Sequence, residues 1–153
     1  MKDILAKAPC PLVIDATALQ PFTLELIKSK NVVVTPHHGE LERMGLKPDE
    51  IGSAAKKYGV AIVLKGPTME ISLPDGSIHE IAGGNAGLTV GGTGDALAGL
   101  IAGLIAQHMD IGEACITAST IIKQAAEMLF PEYGYAFGTK RVIERIPKIL
   151  RTL

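Results

Sequence analysis

The residues with the most chemistry to offer are Gly91-Gly92-Thr93-Gly94-Asp95, small residues that open onto a long apolar run with one carboxylate in its first turn. A helix begins with unpaired backbone N–H groups and the positive end of its dipole, so a glycine-lined approach admits an anion such as a phosphate. Asp95 is the odd member of the set. A negative side chain beside a phosphate repels it unless the carboxylate binds magnesium or takes a proton from the group that attacks phosphorus. The same residues also spell a plain turn, with glycines for positive φ and an aspartate favourable to the dipole by about 0.3–1 kcal/mol. The segment alone does not choose between the two.

The elements around it do. Leu12-Val13-Ile14, Val32-Val33-Val34 and Ala61-Ile62-Val63-Leu64 are short continuous apolar runs, the pattern of strands buried on both faces of a parallel sheet. Each is followed by polar residues: Asp15 after the first, Thr35-Pro36-His37 after the second, Lys65-Gly66 after the third. Open α/β sheets bind ligands at the carboxyl ends of their strands. Strand ends and an anion-binding helix start therefore have reason to meet, which favours Asp95 as a catalytic group. Asp15 is read either as orienting magnesium or a ligand through water, or as capping the turn that follows it.

Helices are expected over 22–29 and from Pro48 to Gly59, where Pro48 starts, Asp49 and Glu50 fill the first turn and Gly59 terminates. A hairpin is expected with strands 70–73 and 77–81 around Pro74-Asp75-Gly76. Residues 93–107 read as a helix that is apolar all round and therefore central. Its Gly99 and Gly103 permit close packing, and its apolar run is far shorter than the roughly 20 residues a bilayer needs. Further helices are expected over 113–130 and 139–150, the last interrupted by Pro147.

With 153 residues, 47% of them apolar and 20% charged, the chain suits one domain with a sizeable buried core. A formal net charge of −1, without a basic run or an aromatic set for base stacking, argues against nucleic acid as the main partner. Cys10 and Cys115 lack CxxC spacing and read as buried free thiols of a reducing compartment. No apolar signal region precedes Pro9 and Pro11, so a cytoplasmic protein without membrane attachment is expected. His37, His38 and Glu40 make a poor zinc site, because adjacent histidines in an extended turn point apart; no metal site is expected from them. His79 and His108 read as surface residues.

Taken in order, Val13-Ile14-Asp15-Ala16-Thr17-Ala18-Leu19, Thr35-Pro36-His37-His38-Gly39-Glu40, Leu64-Lys65-Gly66 and Asn85-Ala86-Gly87 leading into Gly91-Gly92-Thr93-Gly94-Asp95-Ala96-Leu97 resemble the motifs of the NAD(P)H-hydrate dehydratase family. That family is a branch of the ribokinase-like superfamily, often labelled carbohydrate kinase. The TPHxGE segment followed by GGTGD is the most specific part of the match. The resemblance implies an α/β, three-layer ribokinase-like domain over residues 1–153, with a mainly parallel sheet flanked by helices and carrying a β-hairpin, and truncated at its N-terminus relative to the family.

It also implies an activity: repair of hydrated NADH and NADPH by phosphorylating the ring hydroxyl with ADP or ATP and magnesium. Asp95 would then be the base, and the N–H groups of Gly92, Thr93 and Gly94 the anion hole. Lys65, Gly66, Thr68 and Gly94 would bind the nucleotide, and His37, Glu40, Asn85 and Asp95 the hydrated substrate, with Glu40 either close by His37 or capping the helix that starts there. The sequence departs from the family at Thr17, usually aspartate, at His38 and Ala86, usually proline, and at Ala96, usually valine. Family domains also carry a substantial stretch before the first strand seen here, so a homo-oligomer or a partner chain that supplies it is a further expectation. Two other functions remain open on the residues: a kinase for a sugar or vitamin alcohol, and a catalytically silent nucleotide-binding module.

Overall fold

The apolar runs form the sheet that their composition requires. In the computed structural model, which describes residues 1–28 and 31–151, β1 (Leu12–Ile14), β2 (Val32–Val34) and β3 (Ala61–Leu64) pair in parallel, Val13 opposite Val33 and Val34 opposite Ile62. β4 (Met69–Ser72) and β5 (Ile78–Ile81) continue the sheet antiparallel, so strand order follows chain order. The expected hairpin is present, its turn closed by Leu73 N–H on Ser77 O at 2.9 Å and by Ser77 N–H on the Asp75 carboxylate at 2.8 Å. Gly76 takes φ 94° there, a value that costs glycine nothing.

Strand periodicity divides the core between the two faces of the sheet. Val32, Val34, Ile62 and Leu64 face one side, covered by α1 (Lys2–Lys7), α2 (Thr23–Ile27), α3 (His38–Arg43) and α4 (Ile51–Tyr58) through Leu5, Leu24, Ile27, Leu41 and Ile51. Val33, Ala61, Val63 and Ile71 face the other, covered by α5 (Thr93–Ala106), α6 (Ile111–Tyr133) and α7 (Thr139–Leu150) through Leu97, Ile101, Ile122, Leu129 and Val142. The result is three layers, α/β/α.

Several details differ from the sequence expectations. α2 spans Thr23–Ile27, and Ser29 of the expected 22–29 helix lies outside the described residues. Pro48–Glu50 forms a 3-10 turn that leads into α4, and Gly59 ends α4 in the left-handed conformation at φ 66°. α5 is not central: Leu97 and Ile101 are buried, but Gly99, Ala102, Gly103 and Ala106 are exposed, because a face of small residues offers little area for a neighbour to cover. α6 runs through Pro131 and α7 through Pro147. The acceptor that Pro147 leaves without its helical N–H, the carbonyl of Ile143, belongs to an exposed residue, while Val142 and Ile149 hold the helix to the core. Cys115 is buried as expected, but Cys10 is exposed on the loop before β1, and both thiols are free. Among the described residues no helix is long and apolar enough to cross a membrane.

Candidate active site

Three parallel strands end at one edge, and the backbone stitches their exits together. Thr35 N–H donates to Ile14 O at 3.1 Å, Lys65 N–H to Pro36 O at 2.8 Å, and His37 forms a single parallel bridge to Lys65. The residue that follows each strand pair is therefore fixed in register with its neighbours. Polar side chains that could not pack inside the sheet gather where it stops.

Lys65 is the centre of that group. Its ammonium lies 2.7 Å from Asp15 Oδ1 and 3.4 Å from Glu40 Oε2, with all three side chains largely buried. Asp15 therefore neither caps a turn through its side chain nor stands alone; it pairs across the sheet with a lysine 50 residues away. Partly buried, charge-assisted bonds of this kind fix side-chain direction more than they add stability.

Glu40 is held by α3 itself. His37 is its N-cap: His37 Nδ1 accepts from Glu40 N–H at 3.1 Å while Glu40 Oε2 accepts from His37 N–H at 2.8 Å, a capping box with histidine in place of serine or threonine. With Nδ1 accepting, the neutral ring carries its proton on Nε2, which sits 3.5 Å from Glu40 Oε1 and is open to solvent. The His38 ring stands over Gly66, its Cε1 3.6 Å from where a Cβ would project.

The glycine segment meets this cluster from the opposite layer. A Cβ on Gly94 would lie 3.2 Å from Lys65 Nζ and 3.5 Å from Asp15 Oδ2, so the first turn of α5 abuts the lysine and its carboxylate. Gly92 is the N-cap at φ 91° and supplies no capping side chain. Thr93 N–H turns back to Val90 O at 3.4 Å, and the helix offers no acceptor to the N–H groups of Gly94 and Asp95. Asp95 is exposed, its carboxylate unengaged by any hydrogen bond or ion pair among the described residues.

Two supports for the loops of the site carry no motif. Thr139, at the start of α7, donates to Gly91 O at 2.9 Å and touches Thr93 Oγ1 at 3.3 Å. Lys123, on α6, reaches the loop after β3 and donates to Gly66 O at 3.1 Å and to Pro67 O. A lysine interrupting the apolar side of α6 at the spacing Cys115, Ser119, Lys123, Ala126 was the signal available for the second. Asn85 is placed differently from the rest: its amide donates to Ala126 O at 2.8 Å and accepts from Gly87 N–H at 3.0 Å, so both ends are engaged in holding its own loop. Thr68 is exposed beside Pro67.

Comparison with known proteins decides the family. The family model described as NAD(P)H-hydrate dehydratase matches residues 2–148. The chain belongs to the NAD(P)H-hydrate dehydratase family. It is 38% identical over 152 residues to a bifunctional NAD(P)H-hydrate repair enzyme of Methanocaldococcus jannaschii, a match covering 99% of this chain and 30% of that protein. Among solved structures it resembles the ADP/ATP-dependent NAD(P)H-hydrate dehydratase of Bacillus subtilis co-crystallized with ATP/Mg2+ and soaked with CoA, at TM-score 0.85 and 30% identity, over 98% of this chain and 59% of that one. It also resembles a ribokinase-like superfamily protein of Enterococcus faecalis, at TM-score 0.82 and 26% identity, over 99% of this chain and 58% of that one. The fold of this dehydratase-family chain is thus ribokinase-like, and the chain spans less than two thirds of the length of these relatives.

Proposed function

We propose that this chain carries the phosphate-transfer half of an adenine-nucleotide-dependent NAD(P)H-hydrate dehydratase of the cytoplasm. The observation that supports the reading best is the meeting of Lys65, Asp15 and the uncapped start of α5 at the carboxyl edge of the sheet. Each element alone has a structural use. Together they supply a cation and free N–H donors one residue from Asp95, whose carboxylate is unengaged among the described residues.

In this reading the terminal phosphoryl group of ADP or ATP lies against the N–H groups of Gly92, Thr93 and Gly94, with Lys65, Gly66 and Thr68 along the nucleotide. Asp95 takes the proton of the ring hydroxyl of hydrated NADH or NADPH, whose oxygen attacks phosphorus as the bond to the departing nucleotide breaks. The resulting phosphate ester leaves with the electron pair of the carbon–oxygen bond, and a neighbouring carbon gives up a proton to re-form the ring double bond. His37 and Glu40, joined in their capping box, present a rigid wall for the hydrated nicotinamide, and Asn85 fixes the opposite loop.

Asp15 and Glu40 outnumber the one ammonium between them, so the bare site opposes a polyanion unless it arrives with its own cation. Among the described residues no group of three or more His, Cys, Asp or Glu side chains forms a metal cage. Magnesium therefore fits this site as part of the nucleotide complex, held by phosphates and water.

The test is recovery of dihydronicotinamide absorbance from hydrated NADH and NADPH, with magnesium and either ADP or ATP, in wild type and Asp95→Asn. Recovery with release of free phosphate, reduced about 10²–10⁴-fold in the variant with nucleotide affinity retained, supports the dehydratase. Accumulation of a stable phosphate ester of a sugar or vitamin alcohol instead would make the chain a kinase. Nucleotide binding without any turnover would make it a silent binding module.

A further inference from the structure

α6 crosses behind the site and buries a charge that the reaction above does not use. Lys123 is 4% exposed, with burial drawing its ammonium below the usual lysine range and Glu127 on the next turn partly offsetting this. A hydrophobic side chain would fill the same space at lower cost, so the charge has to be explained by its partners. Those partners are backbone: Lys123 Nζ donates to Gly66 O at 3.1 Å and to Pro67 O.

Within the next turn of the same helix, Ala126 O accepts from the Asn85 amide at 2.8 Å and Glu127 Oε1 accepts from Gly84 N–H at 2.9 Å. One face of α6 thereby holds two loops, the one after β3 and the one that leads into the glycine segment. Gly84 is shaped for the arrangement, since at φ 71° its missing Cβ would lie 2.7 Å from Lys123 Cδ. The loop carbonyls are drawn toward α6, while the N–H groups of Gly66 and Thr68 meet no acceptor among the described residues. Unpartnered N–H groups next to a lysine and a helix start are the donors that a phosphate recognises.

We propose that Lys123 is a positioning residue for nucleotide binding, holding Gly66 and Pro67 by their carbonyls so that the N–H groups on either side of Pro67 face the bound phosphates. The proposal rests on the reading of Lys65, Gly66 and Thr68 as the nucleotide segment. Lys123 touches neither reactant. Its effect falls on nucleotide affinity and leaves the chemical step alone.

Calorimetric titration with ADP and steady-state turnover, each on wild type, Lys123→Met and Lys123→Arg, test this. Lys123→Met raises the dissociation constant and KM for the nucleotide by about tenfold or more while kcat at saturation stays within about threefold, and Lys123→Arg restores much of the affinity. Wild-type ADP affinity in Lys123→Met, or a fall in kcat with KM unmoved, overturns the proposal. Should Lys123→Met fail to fold, NMR of the unaltered chain decides: ADP is expected to shift the Gly66 and Thr68 amides and the Lys123 Nζ signal, and their indifference to ADP overturns it. A wild-type chain that binds ADP but restores no dihydronicotinamide sinks the dehydratase reading and leaves the comparison of affinities standing.

Discussion

Gly94 separates stability from ligand binding at a single position. It lies in the first turn of α5 without a left-handed φ, so alanine there is acceptable to the helix and favourable by up to about 1 kcal/mol in intrinsic propensity. The added Cβ would meet Lys65 Nζ at 3.2 Å and Asp15 Oδ2 at 3.5 Å, so the flexible ammonium must give by a few tenths of an ångström while the methyl group narrows the approach to the free N–H groups. Gly94→Ala is therefore expected to melt at or above the wild-type temperature while losing about tenfold in ADP affinity. A melt paired with a calorimetric titration checks it, and equal affinity with unchanged stability would show that no phosphate lies against this turn. Asp95→Asn is the complementary variant: it adds no volume, keeps the helix start, and removes only the base. Lost turnover with intact nucleotide binding is the pattern that distinguishes a proton acceptor from a binding contact.

At the scale of elements, the loops at the site are fixed by helices that contribute no motif. Asn85 caps the 3-10 turn Ala86–Thr89, and that turn carries Gly87 against the Phe137 ring in the loop before α7. A methyl group on Gly87 would enter the space of that ring. Gly87→Ala is expected to destabilise by about 1–3 kcal/mol, which for a chain of this size is about 2–4 °C in Tm for each kcal/mol. Phe137→Leu should recover part of the loss in a double-mutant cycle, with a coupling of at least about 0.5 kcal/mol. Additive effects in that cycle would show that the two residues do not share the space. Activity should fall with stability in this series, since neither residue touches the reactants, whereas in Gly94→Ala the two properties part.

For the whole molecule, the two thiols report how the layers protect the core. Cys10 stands exposed before β1, whereas Cys115 is enclosed between α6 and the sheet, its pKa pushed up to about 12 by burial and by the charge of Asp110. At pH 8 a thiol reagent should label Cys10 promptly and Cys115 only after unfolding. The buried thiol also makes stability fall at high pH. An acid whose folded pKa lies above its unfolded value of 9.0 contributes fully below pH 9, and that contribution declines as pH rises toward 12 because the unfolded chain releases its proton first. Urea titrations between pH 8 and pH 11 measure the decline, and Cys115→Ala should flatten it. Rapid labelling of both thiols in the native state would mean that α6 opens readily from the sheet.

The strands, the hairpin and most helices were legible in the sequence because each depends on a local pattern. Val32-Val33-Val34 alternates between two faces wherever it folds as a strand, and Gly59 marks a helix end through its own backbone preference. The candidate chemistry was legible for the same reason, since GGTGD and TPHHGE bring their donors and carboxylates together over a few residues. Partners were not. Nothing local tells Asp15 that its partner is Lys65, 50 residues on, or that Lys123 will hold Gly66 from the opposite layer, since both distances close only when the sheet is flanked on both faces. The run through Pro147 and the exposed face of α5 belong to the same class, for each is decided by which neighbour offers area to bury and which leaves the surface to water. Sequence alone determined the elements and the reactive groups they carry. Tertiary structure decided which groups meet, because burial, and with it the cost of leaving a charge unpaired, exists only in the packed chain.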